Sequence, residues 1–381
     1  MRESPGDVRL FRASAGAALC LHAWLLFGDP ALSGGADLVP HLRLIEQMGE
    51  APGLRSVYPP AFHVAVALLA PLLGPALAVK LWTWLSAAAL IGGFRAFQRA
   101  AGLPTAAAAL FVWTPYLFAL SWCLPKVEAA GYAAALAGLA CLLRGHRAAA
   151  GAILAATFWV HTAAALVFGL CGGLWALLHR DARSLAALAG GTLAASPLLV
   201  AHLADGCTLR EALLFSPGDY LREAGRSGSA SAGGRIAILA GPLGVGAALL
   251  GARRLWREHR DVAVLAAAIV ALCTSELWLA PFGIATTFNL LRALTLLAVA
   301  VAASAGVFAA TRRGLAPALV AASAAFALVA ALRAVPGSCH REPIDAARVA
   351  AAEVDRCSFR WHFARAPEAP EVPRVSPGSG S

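Results

Sequence analysis

The chain has 381 residues, of which 59% are hydrophobic and 14% charged, and its mean hydropathy is +0.69. The charged fraction is about half that of an ordinary soluble domain, so we predict one polytopic membrane domain rather than a water-soluble core. The net charge of +10 does not indicate a nucleic-acid-binding protein, because the arginines are scattered between apolar segments and form no single basic face.

Apolar runs long enough to cross a membrane recur along the chain. A spanning helix needs about 20 mostly apolar residues. The first run follows Arg2, Arg9 and Arg12 and no small-x-small cleavage site comes after it, so we interpret it as an uncleaved signal anchor. The run at 62–73 is short and bounded by prolines, which is typical of a re-entrant or interfacial helix. The fold class is therefore predicted as all-α, a bundle of about eleven spans at 11–28, 77–94, 103–121, 126–143, 147–161, 162–178, 184–203, 234–251, 261–280, 289–310 and 314–333.

Arginines mark every second connection between these spans. Because Lys and Arg near span ends favour the cytoplasm, the pattern predicts a cytoplasmic amino terminus and an external carboxyl terminus in a bacterial inner membrane. Counting 62–73 as a span would move every later arginine turn to the outside. The turns concerned are 95–99, 144–147, 180–183, 253–260 and 312–313.

External residues are then concentrated in three segments: a first loop at about 28–74, a polar loop at 204–233, and the tail. We divide the chain into a transmembrane domain, 1–333, and an external tail, 334–381, whose Pro/Ser/Gly-rich end is predicted to be disordered. The eight cysteines show no CxxC pair and no zinc spacing, so no structural metal site is predicted. Cys339 and Cys357 can pair around the helix-like run 344–354, with Cys207 as a competing partner.

The first loop carries the most informative pattern. Leu38, Leu42 and Ile45 form one stripe of an amphipathic helix that begins at Asp37, and a Tyr-Pro-Pro turn then leads into a second, apolar helix. This arrangement resembles the GT-C superfamily of polyprenyl-phosphate-dependent membrane glycosyltransferases, and a mannosyltransferase-like member in particular. The residues that carry the resemblance are Asp37, His41, Tyr58, Pro59, Pro60 and His63.

The resemblance implies a transferase that takes a sugar from a lipid phosphate and passes it to an acceptor on the outer face. It also implies that Asp37 is the catalytic base, although an Asp one turn before an apolar stripe is also an ordinary helix cap. The loop departs from the superfamily in lacking a paired Asp-Glu or Asp-x-Asp, and the chain lacks a large external carboxyl-terminal domain. No cofactor is firmly implied, and a divalent metal stays open.

Cationic groups at the outer leaflet would stabilise the departing phosphate. Arg292 lies about one turn inside the tenth span, where a charge is costly unless it is paired or faces a polar cavity. A guanidinium suits phosphate, so we expect Arg292 to bind the lipid phosphate; snorkelling or pairing with Glu276 is the structural alternative.

Further candidates lie at the predicted outer ends of other spans. Glu128 is expected to serve as a second acid for acceptor or metal and Lys126 as a phosphate ligand, although an ordinary interfacial pair would explain both. The remaining candidates for substrate binding are His41, Tyr58, His63 and His161; a lone interfacial histidine is more often structural, and Tyr58 can simply pack the loop.

Two other functions are compatible with such a chain. A transporter or flippase of a lipid-linked saccharide would place charged residues near the bilayer midplane, whereas a non-catalytic scaffold would need no spatial relation between Asp37 and Arg292. The ionisable residues cluster at the outer ends, which favours the enzyme. Its expected partners are the lipid-linked sugar donor and membrane lipids, and the oligomeric state stays open.

Overall fold

The computed structural model of the chain describes residues 4–28, 38–50, 60–114, 128–204, 232–273, 294–312, 314–337, 344, 349–354 and 361–363. Within these ranges the chain is a bundle of fourteen helices with one short antiparallel pair of strands. The helices are α1 (Pro5–Phe27), α2 (Leu38–Glu50), α3 (Ala61–Leu73), α4 (Pro75–Ala100), α5 (Thr105–Val112), α6 (Glu128–Leu143), α7 (Arg147–Val160), α8 (Thr162–Leu178), α9 (Ala182–Ala194), α10 (Ser196–Ala204), α11 (Ala232–Glu258), α12 (Arg260–Cys273), α13 (Leu294–Ala309) and α14 (Leu315–Gly337). The strands are β1 (Ala352–Val354) and β2 (Trp361–Phe363).

The helices confirm the all-α bundle, and each of the eleven predicted span ranges contains at least one of them. Three stretches among the described residues are long and apolar enough to cross a membrane, namely Pro5–Phe27, Pro75–Ala100 and Ala182–Ala201. The stretch Ala182–Ala201 is interrupted between α9 and α10, because Pro197 has no backbone N–H to donate to the helical hydrogen bonds. Shorter apolar helices, including α6, α7 and α8, complete the described bundle.

The short run at 62–73 forms a helix of its own. α3 has 13 residues, a length of about 20 Å against a hydrocarbon core of about 30 Å. It ends at Gly74, whose positive φ of 78° turns the chain, and Pro75 then starts α4. α3 therefore folds back against the beginning of α4 instead of continuing into it.

Small residues let several helices approach closely. A Cβ atom added at Gly93 of α4 would lie 2.6 Å from the carbonyl oxygen of Ala133 on α6. Gly151 of α7 and Gly191 of α9 face each other so closely that a Cβ atom at either would strike the main chain of the other helix. Such contacts hold transmembrane helices together where lipid removes the hydrophobic drive for association.

The two ends of the bundle differ in chemistry. At one end the Arg95 guanidinium lies 5.0 Å from the Phe11 ring, and Arg147 forms an ion pair of 2.9 Å with Asp181. We call this the arginine end, because it gathers the arginine turns of α1, α4, α7 and α9. α7 runs from this end to His161 at the opposite one, which we call the histidine end and which also includes His41 and His63.

The tail contains a strand that the sequence did not predict. The run 344–354 was expected to be helix-like, and its last residues form β1, whereas residues 345–348 lie outside the described ones. α14 extends to Gly337, and the division of the chain at 333 stays a prediction. β1 pairs with β2 in antiparallel register, with Ala352 opposite Phe363. The sequence pattern did not distinguish the two forms, because a short apolar run of this length fits a strand as well as a helix.

Candidate functional site

Two helices of the first loop build the framework of the site. The apolar stripe of α2 buries Leu38 and Leu42 against Phe62 and Val66 of α3 and against Val79 of α4. The Phe62 and Trp82 rings meet edge to face at 5.8 Å, which fixes α3 against α4. The amphipathic helix predicted from the sequence is thus present, and its apolar face is covered.

His41 of α2 and His63 of α3 form a buried imidazole pair. The His41 Nδ1 and His63 Nε2 atoms are 3.0 Å apart, and the two residues expose 6% and 0% of their surface. One nitrogen must donate and the other must accept, so the ring that accepts is neutral. Phe62 packs edge-on against both rings at 5.5 and 5.4 Å.

His161 reaches the same end from the junction of α7 and α8. Its backbone is extended, and its Nδ1 atom accepts a hydrogen bond of 3.2 Å from the Ala164 amide, so the side chain caps α8. An accepting Nδ1 places the ring proton on Nε2 in the neutral form. His161 therefore has a structural role as the cap of α8, and this hydrogen bond fixes the orientation of its ring.

The two neighbouring histidines affect the pKa of His41. Burial lowers the pKa of His41 well below its ordinary value of 6.5, and the neighbouring His63 and His161 lower it further. At neutral pH His41 is consequently uncharged. It can orient a hydroxyl or pass a proton, but it does not supply the positive charge that a phosphate needs.

Glu128 begins α6 near this cluster. It lies one helical turn before Gly131, and a Cβ atom at Gly131 would approach the His161 Cβ atom to 2.5 Å. α6 thus packs directly against the His161 junction, and the half-buried Glu128 is its first residue. The structure brings together three of the predicted residues at the histidine end, His41, His63 and His161, and Glu128 begins the helix that packs on the His161 junction.

Lys80 is a residue that the sequence analysis did not single out as a candidate. It lies on α4, between Val79 of the first-loop cluster and Trp82, and exposes only 7% of its surface. A buried lysine inside an apolar helix is costly and commonly marks a functional position. That rule, applied to one of only two lysines in the chain, would have identified it.

The other predicted site residues, Asp37, Tyr58, Lys126 and Arg292, lie outside the described residues, as do Cys207, Glu276, Cys339 and Cys357. Across the part of the chain that the structure describes, no group of three or more His, Cys, Asp or Glu side chains is arranged to hold a metal ion.

Comparison with known proteins gives a fold. No protein-family model matches the chain, and no curated protein matches it. Among solved structures it is similar to ArnT from Cupriavidus metallidurans bound to undecaprenyl phosphate, with 16% sequence identity and a TM-score of 0.60. The match covers 89% of this chain and 68% of that one. The likeness shows the fold alone, and it confirms the predicted GT-C-like bundle of helices.

Proposed function

We propose that the chain is a membrane glycosyltransferase that moves a sugar from a polyprenyl-phosphate-linked donor to an acceptor on the outer face of the bacterial inner membrane. The observation that carries this proposal is the buried cluster of His41, His63 and His161 at one end of a GT-C fold, with Glu128 at the start of the helix that packs against His161. The undecaprenyl phosphate bound to ArnT supports the class of donor.

The transfer reaction forms one covalent bond and breaks one. The acceptor oxygen bonds to the anomeric carbon of the sugar while the bond from that carbon to the phosphate oxygen breaks. The acceptor proton passes to a carboxylate, and the negative charge remains on the lipid phosphate. Asp37 is the proposed base, with Glu128 as the second carboxylate that orients the acceptor.

Positive charge near the phosphate is the second requirement. Arg292 and Lys126 are the proposed phosphate ligands, and the burial of Lys80 at the histidine end adds a third candidate. The neutral imidazoles complement these cations, because they donate and accept hydrogen bonds without adding like charge beside them. We assign His41, His63 and His161 to the orientation of sugar and acceptor hydroxyls, with Tyr58 on the same loop.

The test is release of free polyprenyl phosphate from a panel of undecaprenyl-phosphate-linked hexoses by the purified protein in nanodiscs with membrane-lipid acceptors. We expect wild type to release the lipid phosphate and His63→Asn to lose about 10-fold to 100-fold of this activity. His146→Asn is the matched control, because His146 is exposed in the turn between α6 and α7 at the arginine end.

Two results would contradict the proposal. Equal activity of both variants would remove the histidine cluster from the reaction. Movement of the donors across a sealed bilayer without release of lipid phosphate would identify a flippase instead.

A further inference from the structure

The carboxyl-terminal segment packs onto the first loop, more than 300 positions away along the chain. Ile344 and Val349 join the apolar cluster that Leu38, Leu42 and Phe62 form, and Val349 retains only 4% of its exposure. β1 contacts α2 directly, and its first residue, Ala352, is buried as well. α2 is therefore held between α3 and the tail.

We propose that Val349 is a positioning residue for the transfer reaction: Val349 and the strand β1 that follows it hold α2 against α3 and so keep the His41 and His63 imidazoles together. This inference rests on the proposed function for its catalytic consequence. The contact itself rests on the packing alone.

The need for such a support follows from the size of α2. A helix of 13 residues is marginal by itself in water, and it keeps its place only by burying its apolar stripe. Leu38 and Leu42 lie on either side of His41, so whatever fixes these two leucines also fixes His41. The two imidazole nitrogens are 3.0 Å apart, and a shift of α2 by 1 Å would break their hydrogen bond.

The strand pair gives the tail its own stiffness. Ala352, Glu353 and Val354 pair with Phe363, His362 and Trp361, so β1 does not lie on α2 as a single extended chain. Val349 stands three residues before the strand, at the point where the chain reaches the cluster. A disturbance at Val349 should therefore be felt at α2 first.

The experiment uses the full-length protein with Val349→Asp, Val349→Ala and the control Ala350→Asp. Ala350 is exposed beside Val349, so a carboxylate there meets water rather than the cluster. Acylation of the imidazoles by diethyl pyrocarbonate, mapped by peptide mass spectrometry, reports the opening of the pair. His22, which is fully buried on α1, serves as the internal reference for unfolding of the bundle.

We expect His41 and His63 to react about tenfold faster in Val349→Asp and about threefold faster in Val349→Ala, as local opening becomes easier. His22 should react at the wild-type rate in every variant, and Ala350→Asp should match wild type throughout. If Val349→Asp does not fold, the labelling rates of His41 and His63 in the milder Val349→Ala variant still test the proposal. In the transfer assay, kcat should fall while the donor KM stays near wild type, since misplaced hydroxyl ligands slow the step without weakening binding of the lipid.

Unchanged labelling of His41 in both Val349 variants would overturn the inference, and so would faster labelling with an unchanged kcat. Suppose that His41 and His63 react faster in the Val349 variants but wild type transfers sugar from no donor. That result would contradict the proposed function alone, because labelling needs no turnover.

Discussion

At the scale of single residues, the His41–His63 pair is the most unusual feature of the described chain. Two imidazoles 3.0 Å apart and shut away from water cannot both carry charge without strong repulsion. At least one ring of the pair is therefore neutral, and burial makes His41 that ring at neutral pH. The cations that a phosphate requires must come from elsewhere, which is why the buried Lys80 matters to the proposed site.

The depressed pKa of His41 predicts a pH dependence of stability. In the unfolded chain the group titrates near 6.5, whereas the folded chain keeps it neutral well below that pH. The unfolded state thus binds more protons below about pH 6.5, and the stability that neutral His41 contributes above that pH is lost as the pH falls, by at most about 1.4 kcal/mol per pH unit for one group. The melting temperature in detergent, measured from pH 8 to 5 by tryptophan fluorescence, should fall more steeply for wild type than for His41→Gln. Parallel curves would mean that His41 is not kept neutral.

The proposed base can be separated from a helix cap by two substitutions. Asn in place of Asp37 keeps much of the capping ability but cannot take a proton at neutral pH, whereas Ala also loses the cap, at about 1 kcal/mol. A catalytic Asp37 should lose roughly 100-fold or more of transfer activity with either change. Rates are compared at matched folding and donor binding. Near-normal turnover by Asp37→Asn would shift the role of base to Glu128, for which Glu128→Gln is the corresponding test.

At the scale of elements, the site depends on how closely α6 meets the junction of α7 and α8. Gly131 leaves room for the His161 side chain, and a Cβ atom there would lie 2.5 Å from the His161 Cβ and 3.1 Å from the Ala164 Cβ. Ala164 also donates the hydrogen bond that caps α8, so a larger residue at position 131 would press on both partners of the cap. His161 is therefore placed by packing as much as by its own hydrogen bond.

Gly131→Ala should consequently displace His161. We expect a loss of about 1–3 kcal/mol in stability, as for other overpacked interiors, together with reduced transfer activity. Gly169→Ala is the matched control, because a Cβ atom on that glycine of α8 meets nothing within 4 Å and alanine favours a helix. Thermal denaturation and the release assay measure both variants. A Gly131 variant as stable and active as the Gly169 variant would show that α6 does not set the position of His161.

The elements also show what a sequence can and cannot predict. The stripe of Leu38, Leu42 and Ile45 predicted α2 because helical periodicity is local, and the short run at 62–73 predicted α3 by its length. The same stripe does not predict which residues pack on this apolar face of α2. Val349 comes to α2 through a contact between distant parts of the chain, and one valine in an alanine-rich run carries no periodic signal. The strand at Ala352–Val354 was predicted as helix-like for a different reason, because a short apolar run fits either form.

The candidate site also contains some residues that the sequence predicted and others that it did not. His41 and His63 were found through a short motif with meaning in one superfamily, whereas Lys80 belongs to no motif and was recognised only from its burial. The distance between the two imidazoles could not be predicted either. It depends on the packing of three elements, α2, α3 and the tail, and not on the spacing of the two residues along the chain.

At the scale of the whole molecule, the two ends of the bundle carry different groups. Arg95 and the ion pair of Arg147 with Asp181 lie at the arginine end, and His179 lies 3.3 Å from Asp261 there as well. The buried imidazoles occupy the histidine end. The likeness to a solved structure at 16% identity shows that the fold tolerates almost complete replacement of the sequence, since helix packing by small residues needs volume more than identity.

This division predicts an orientation in the membrane. Basic residues near span ends favour the cytoplasm, so the arginine end should face inward and the histidine end outward, where lipid-linked donor and acceptor would meet. A reporter fused after Arg99, at the end of α4, should read cytoplasmic, and one fused after Ser227, in the second predicted external loop, should read external. The comparison depends on α3, because a crossing there would invert every later segment. An external reading at Arg99 would therefore make α3 a span and place the imidazole cluster on the wrong side for transfer at the outer face.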